Sequence, residues 1–125
     1  LKMTFDTSLD AEGQVVSVNL NSVRISDQDI DLLAELQKLE WLDMQDSEIT
    51  DAGAARLAEL GFPQLRLLKV DNSKITNSGF LAICSLKNLR DLHIRHTGVT
   101  SQAIESMRES KPFLRVYSAP FEQPL

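Results

Sequence analysis

The residues with the clearest potential for chemistry are two histidines in the C-terminal third of the chain. His93 and His96 are three positions apart, and Asp91 and Asp71 are expected close by. Histidine and aspartate in such proximity could bind a metal ion or form an acid–base pair. Residues three apart in a strand nevertheless point to opposite faces, and no third ligand stands at a defined spacing. We therefore interpret both histidines as ordinary surface residues.

The remaining reactive groups are one cysteine and five glycines. Cys84 has no histidine near it in sequence and falls where Ala34 and Ala58 stand in neighbouring segments, which is typical of a small packing residue. The glycines are isolated, so a glycine-rich phosphate loop is not expected; they are Gly13, Gly53, Gly61, Gly79 and Gly98. The sequence predicts no catalytic residue, no metal site and no cofactor, and hence no enzyme.

Length, composition and charge narrow the class of protein further. The chain has 125 residues, 42% of them hydrophobic and 25% charged, which suits one soluble globular domain. Its net charge of −5 argues against nucleic acid or an anionic membrane as the main partner. The sequence has no apolar run of the roughly 18 residues that a membrane span needs. These properties leave the cellular compartment open.

An internal repeat determines the expected architecture. A pattern of the form L-x-x-L-x-L, with aliphatic substitutions, begins at Val15, Leu39, Leu65 and Leu89, so the copies start 24, 26 and 24 residues apart. A weaker fifth copy begins at Leu114. Each of the first four is followed, at one offset, by isoleucine or valine and then by serine or threonine.

This unit resembles the leucine-rich repeat family, in the variant L-x-x-L-x-L-x-x-(S/T)-x-I-T-(D/N)-x-G, which residues 47–53 and 73–79 match best. Similar units occur in F-box-type adaptor repeats and in bacterial repeat proteins. The resemblance covers residues 15 to about 119 and implies an α/β fold, a short solenoid with parallel strands on the concave side and helices on the convex side. Val23 and the segment 101–103 depart from the pattern at the turn and leave the expected fold unchanged.

The periodicity supports the same architecture independently. Leu42 and Met44 alternate with polar or exposed positions, which predicts a short strand with one buried face. Ala54, Leu57 and Leu60 then recur at helical spacing. Each helix should begin at a residue whose side chain can accept from free backbone N–H groups, a cap worth about 1 kcal/mol; these residues are Ser26, Thr50, Thr76 and Thr100.

The repeat also suggests how one domain spanning residues 1–125 is organised. Residues 1–14 are predicted to form an N-terminal cap hairpin, in which Met3 and Phe5 point inward. Four repeats occupy residues 15–113, and residues 114–125 form a partial repeat and a C-terminal tail.

Stacked repeats align their outward strand residues in columns, and one pair stands out. Trp41 and Leu67 should be neighbours on a face that is otherwise polar, and tryptophan is enriched at binding hot spots. The alternative interpretations are that the terminal cap or a neighbouring domain covers Trp41, or that Trp41 is simply an exposed aromatic residue. The predicted protein-binding residues are Trp41, Asp43, Gln45, Leu67, Lys69, Asp71, His93 and Arg95.

The charged members of this set allow two interpretations. Asp43 could pair with Lys69, and Asp71 with Arg95, across neighbouring strands, with about 0.2–1 kcal/mol from each pair. The cations could instead bind carboxylates of a peptide, and the carboxylates its cations.

The function that the sequence favours is a non-enzymatic protein- or peptide-binding module that uses the concave face. The alternative is a structural spacer or docking domain whose repeats bind other domains of the same chain.

Overall fold

The fold is an array of short parallel strands alternating with helices, seen in a computed structural model that describes residues 6–21 and 23–118. Within these residues a six-stranded sheet has its strands in chain order. The strands are β1 (Asp6–Leu9), β2 (Val15–Asn19), β3 (Trp41–Asp43), β4 (Leu67–Lys69), β5 (Asp91–His93) and β6 (Arg115–Tyr117). The connecting segments hold a 3₁₀ helix (Asp27–Leu33), α1 (Asp51–Leu60), α2 (Asn77–Ile83) and α3 (Ser101–Met107).

Strand pairing follows the repeat. β1 pairs with β2 antiparallel, whereas β2 to β6 are parallel to one another. The order of strand, turn and helix recurs along the chain, so the predicted α/β class and short leucine-rich repeat solenoid are confirmed. Met3 and Phe5 lie outside the described residues, as does the segment 119–125. None of the described helices has the length and apolar character that crossing a membrane requires.

The core lies between the strands and the helices. The middle residues of three parallel strands, Leu42, Leu68 and Leu92, are fully buried and point to one side of the sheet. Ile30 from the 3₁₀ helix and Phe80 from α2 are equally buried in the same cluster. Equivalent apolar residues of successive repeats therefore stack into a continuous core. The alternate residues of each strand lie on the opposite face of the sheet.

The first repeat differs from the others because it forms a 3₁₀ helix where α1 and α2 are α-helical. Its sequence includes Asp27, Asp29 and Asp31, and aspartate is a poor residue inside a helix. Asp29 also accepts a hydrogen bond from the backbone N–H of Ser26 at 2.9 Å, which fixes the helix start. The corresponding part of α1 is rich in alanine, the strongest helix former.

Threonine caps form at only some of the predicted helix starts. The Thr50 hydroxyl accepts from the backbone N–H of Ala52, and the Thr100 hydroxyl accepts from that of Ala103, both at 3.2 Å. The prediction is wrong for Thr76, whose side chain makes no cap bond. The Thr76 hydroxyl donates to the Asp51 carboxylate of the preceding repeat.

A ladder of hydrogen bonds joins each repeat to the next at the helix starts. The first helical residue of one repeat binds the threonine at the helix start of the next: Asp27 binds Thr50, Asp51 binds Thr76, and Asn77 binds Thr100. In each case a side-chain oxygen accepts from the threonine backbone N–H, at 2.8, 2.7 and 2.9 Å respectively. We call these six residues the inter-repeat ladder.

The glycine of the repeat pattern makes room for this ladder. A Cβ atom on Gly53 would collide with the Asp27 carboxylate, and one on Gly79 would lie 2.5 Å from an oxygen of Asp51. The Gly79 N–H also donates to Asp51 at 2.9 Å. In the fourth repeat Ala103 takes the glycine place, and there the Thr100 hydroxyl supplies the cap. The departure at residues 101–103 therefore changes the cap and leaves the helix in place.

Candidate functional site

The outer residues of the parallel strands form one surface, which we call the strand face. The strand register places Trp41 beside Leu67, and Leu67 beside Asp91. In the second row Lys69 lies between Asp43 and His93. Gln45, Asp71 and Arg95 each follow the end of a strand by two residues, so all eight predicted site residues lie on or directly beyond β3, β4 and β5.

Trp41 is the most exposed large apolar side chain on this face. Its exposed fraction is 54%, whereas its neighbour Leu67 is half-buried. A shallow groove of about 370 Å³ runs beside the indole, between the β1–β2 hairpin and the side chains of Asp43 and Lys69. The predicted pair of adjacent apolar residues is therefore present, and it borders a groove with polar walls.

The predicted ion pair between Asp43 and Lys69 does not form. Both carboxylate oxygens of Asp43 accept from the side-chain amide of Gln45 at 3.1 Å, and one of them also accepts from the Gln45 backbone N–H. The sequence pattern missed this bond because both partners belong to the same repeat. Adjacent register alone does not bring the Lys69 ammonium to the carboxylate.

The predicted ion pair between Asp71 and Arg95 is also wrong as a side-chain contact. Asp71 is buried, and its carboxylate accepts from the Arg95 backbone N–H at 2.7 Å. Among the ion pairs of the described residues, none includes the Arg95 guanidinium. Asp71 thus holds the turn after β5 in place through the Arg95 backbone.

Two residues that the sequence did not single out complete the face at its C-terminal end. The rings of His93 and Tyr117 stack with centroids 4.3 Å apart and planes 17° from parallel. Asp91 pairs with Arg115 at 2.8 Å and accepts from the Tyr117 hydroxyl at 3.3 Å. The sequence shows a fifth copy of the repeat that begins at Leu114. Aligning this copy with the other four would have placed Arg115 and Tyr117 on the strand face.

The electrostatic environment of His93 favours its neutral form. Partial burial lowers the pKa of His93, and the nearby cations Lys69 and Arg95 lower it further. The carboxylates Asp71 and Asp91 act in the opposite direction without reversing the shift. At neutral pH the imidazole therefore offers one N–H donor and one lone pair.

The other residues with catalytic potential in the sequence are Cys84 and His96. Cys84 is buried, and this burial raises the pKa of its thiol to about 11, so the thiolate is scarce at neutral pH. His96 lies in the turn after β5 with φ of 58°. No group of three or more metal-ligating side chains occurs in residues 6–21 and 23–118.

Comparison with known proteins finds similarity to solved structures only. No protein-family model matches the chain, and no curated protein matches it. Among solved structures, leiomodin-1 actin-binding site 2 is similar over 83% of this chain and 70% of its own, with 17% identity and a TM-score of 0.66.

Two further structures are similar at lower scores. The complex PEPR1–AtPEP1 has 12% identity, covers 91% of this chain and 19% of its own, and has a TM-score of 0.49. An internalin (inlF) from Listeria monocytogenes has 21% identity, coverages of 68% and 29%, and a TM-score of 0.41. At 17% identity the likeness to leiomodin-1 actin-binding site 2 concerns the fold alone, and it agrees with the short leucine-rich repeat solenoid described above.

Proposed function

We propose that the chain is a non-enzymatic protein- or peptide-binding module of the leucine-rich repeat family and that its strand face is the concave binding surface. The observation that carries the proposal is the exposed indole of Trp41 beside Leu67, on a sheet whose other face packs on the hydrophobic core. The binding residues are the eight that the sequence predicted, together with the C-terminal pair: Trp41, Asp43, Gln45, Leu67, Lys69, Asp71, His93, Arg95, Arg115 and Tyr117.

The physical reason is the area that a partner would remove from water. An exposed half of a tryptophan side chain corresponds to about 100 Å² of largely apolar surface, worth roughly 2–3 kcal/mol when it is covered. The register of β3 is fixed by the buried Leu42, so the indole cannot turn into the core without moving the strand. The groove beside Trp41 gives that area a concave boundary.

The size of the surface sets the kind of partner. Five parallel strands at about 4.8 Å spacing give a strip about 20 Å wide, which fits a peptide segment or one loop of a protein better than a large globular face. The name of leiomodin-1 actin-binding site 2 describes that protein as a binder of actin. For this chain it supports only the general idea that such a solenoid can bind a protein.

A spacer or docking domain is the second candidate, and a separate observation favours it. Phe113, just before β6, is 77% exposed and lies beside a groove of about 290 Å³ near Cys84 and Leu86. In the described residues β6 pairs with β5 on one edge only. A second domain of the same protein could cover this end of the solenoid.

One experiment separates the two candidates. Wild type, Trp41→Ala and Phe113→Ala are immobilised and exposed to extract of the source cells, and captured proteins are quantified by mass spectrometry. Trp41→Ala should reduce capture of the main ligand at least about tenfold, as at a binding hot spot, whereas Phe113→Ala should not. Thermal unfolding of both variants controls for loss of the fold.

The opposite result would indicate that the C-terminal end of the solenoid, and not the strand face, binds the partner. Capture that depends on Phe113 and is indifferent to Trp41 contradicts the strand-face proposal and supports docking by the end of the array. Capture that neither substitution changes contradicts both candidates.

A further inference from the structure

Two cations on the strand face lack a hydrogen-bond or ion-pair partner among residues 6–21 and 23–118. Lys69 lies beside His93 in the register of β4 and β5, and Arg95 follows His93 by two residues. Both cations are close enough to act on the charge of the imidazole. Neither the Lys69 ammonium nor the Arg95 guanidinium has a hydrogen bond or ion pair to any of the described residues.

The carboxylates nearby are already bound to other donors. The Asp71 carboxylate accepts a hydrogen bond from the Arg95 backbone N–H. Asp91 forms an ion pair with Arg115, and Asp43 accepts a hydrogen bond from the Gln45 side-chain amide. Since each of these acceptors has its donor, none of them needs to move to the Lys69 or Arg95 side chain. Unused donors are therefore concentrated around His93, in a protein whose net charge is −5.

The position of His93 is held by its neighbours. Tyr117 stacks on the imidazole, and the Tyr117 hydroxyl is in turn bound to Asp91. A ring fixed in this way loses little conformational freedom when it donates a hydrogen bond to a ligand. An anionic group in line with the imidazole N–H would also lie within the influence of the Lys69 and Arg95 charges, and charge-assisted bonds are the stronger ones.

We propose that Lys69, His93 and Arg95 form a subsite for the side-chain carboxylate of an aspartate or glutamate in an extended peptide segment. This inference rests on the proposed function, since the same segment covers Trp41. His93 lies two strands across and two residues along from Trp41, a distance of about 12 Å by sheet geometry. In an extended ligand this separates the apolar residue from the acidic residue by three or four positions.

A displayed library of random heptapeptides tests the proposal directly. Fixed Gly-Ser segments flank the random positions on both sides, so a chain-terminal carboxylate cannot substitute for a side chain. Selection is carried out at about 0.15 M salt on wild type, on Trp41→Ala, and on a double variant with Lys69→Met and Arg95→Met. Thermal unfolding of the variants shows that each is folded.

Wild type should enrich peptides with an apolar residue and, three or four positions away, aspartate or glutamate. The double variant should keep the apolar preference and lose the acidic one, whereas Trp41→Ala should lose the apolar preference. Replacing the acidic residue of a selected peptide by its amide should weaken binding to wild type on the order of tenfold and leave binding to the double variant unchanged.

The failures of the two proposals are distinguishable. Enrichment that depends on Trp41 but shows no acidic preference, or an acidic preference that survives in the double variant, overturns the carboxylate subsite and leaves peptide binding standing. A library that yields no peptide dependent on Trp41 overturns the proposed function, and the subsite with it.

Discussion

Replacing Asp51 by alanine should lower the free energy of unfolding by about 2–3 kcal/mol. The Asp51 carboxylate accepts three hydrogen bonds from the next repeat: from the Thr76 backbone N–H at 2.7 Å, the Thr76 hydroxyl at 2.5 Å and the Gly79 N–H at 2.9 Å. Each such bond contributes about 0.5–1.5 kcal/mol net, and the half-exposed position lets water replace part of it. The alanine variant leaves two backbone donors of α2 without a protein acceptor.

The protein itself contains the matched control for charge. Asn77 occupies the same place one repeat later, where its side-chain oxygen accepts from the Thr100 N–H and its amide donates to the Thr100 hydroxyl at 3.2 Å. Asp51→Asn can reproduce this arrangement, so we expect a loss below about 1 kcal/mol. A second control is Asp31→Ala, which removes an exposed ion pair to Arg56 and should lower stability less than Asp51→Ala does.

The assay is urea unfolding followed by circular dichroism, with all four proteins analysed at a common slope. The prediction is refuted if Asp51→Ala is no less stable than Asp31→Ala. It is also refuted if Asp51→Asn loses as much as Asp51→Ala, because the acceptor geometry would then be irrelevant.

The pH dependence adds an independent check on Asp51. Burial acts to raise the pKa of Asp51, but the hydrogen bonds from Thr76 and Gly79 outweigh it and lower the pKa. A carboxylate with a lowered pKa stabilises the fold above its unfolded pKa of about 3.9, and this contribution is lost as the pH falls through the folded pKa. The advantage of wild type over Asp51→Asn should therefore shrink between pH 7 and pH 3. A constant difference would show that the charge of Asp51 adds nothing.

Three further predictions concern single positions. Gly53→Ala should lower the free energy of unfolding by about 1–3 kcal/mol, because its Cβ would collide with the Asp27 carboxylate; urea unfolding would contradict this if stability were unchanged. Cys84, with a thiol pKa of about 11, should react with iodoacetamide at neutral pH at least about a hundredfold more slowly in the folded protein than in urea, and equal rates would contradict its burial. The pKa of His93, followed by NMR, should lie below 6.5, and a value at or above 6.5 would show that burial does not dominate there.

The repeat pattern predicted the fold because solenoid geometry is local. Leu42, Leu68 and Leu92 occupy the same place in successive units, so period-two alternation in one unit implies the burial of all three. The adjacency of Trp41 and Leu67 followed from the same alignment, without any long-range inference. Aligning the repeats therefore predicts which residues are adjacent wherever the backbone register alone determines it.

Side-chain partners were harder to predict, because they depend on reach and on competing donors. Asp43 was expected to bind Lys69 across strands, but the Gln45 amide two residues away is within reach of both carboxylate oxygens. The ladder bond between Asp27 and Thr50 joins residues 23 positions apart, and hydrophobic periodicity carries no information about it. The (D/N)-x-G pattern at residues 51–53 and 77–79 was a usable signal, since each glycine admits the ladder carboxylate of the preceding repeat.

The structure divides stabilisation and recognition between different sides of the repeat. The inter-repeat ladder lies at the helix starts and the core lies beneath the sheet, so neither depends on the outer ends of Trp41, Lys69 or Arg95. A substitution at those outer ends changes what the strand face can bind and removes little that holds the repeats together. Ligand preference in this chain can therefore change by single residues, while the register that positions those residues is set by the ladder and the core.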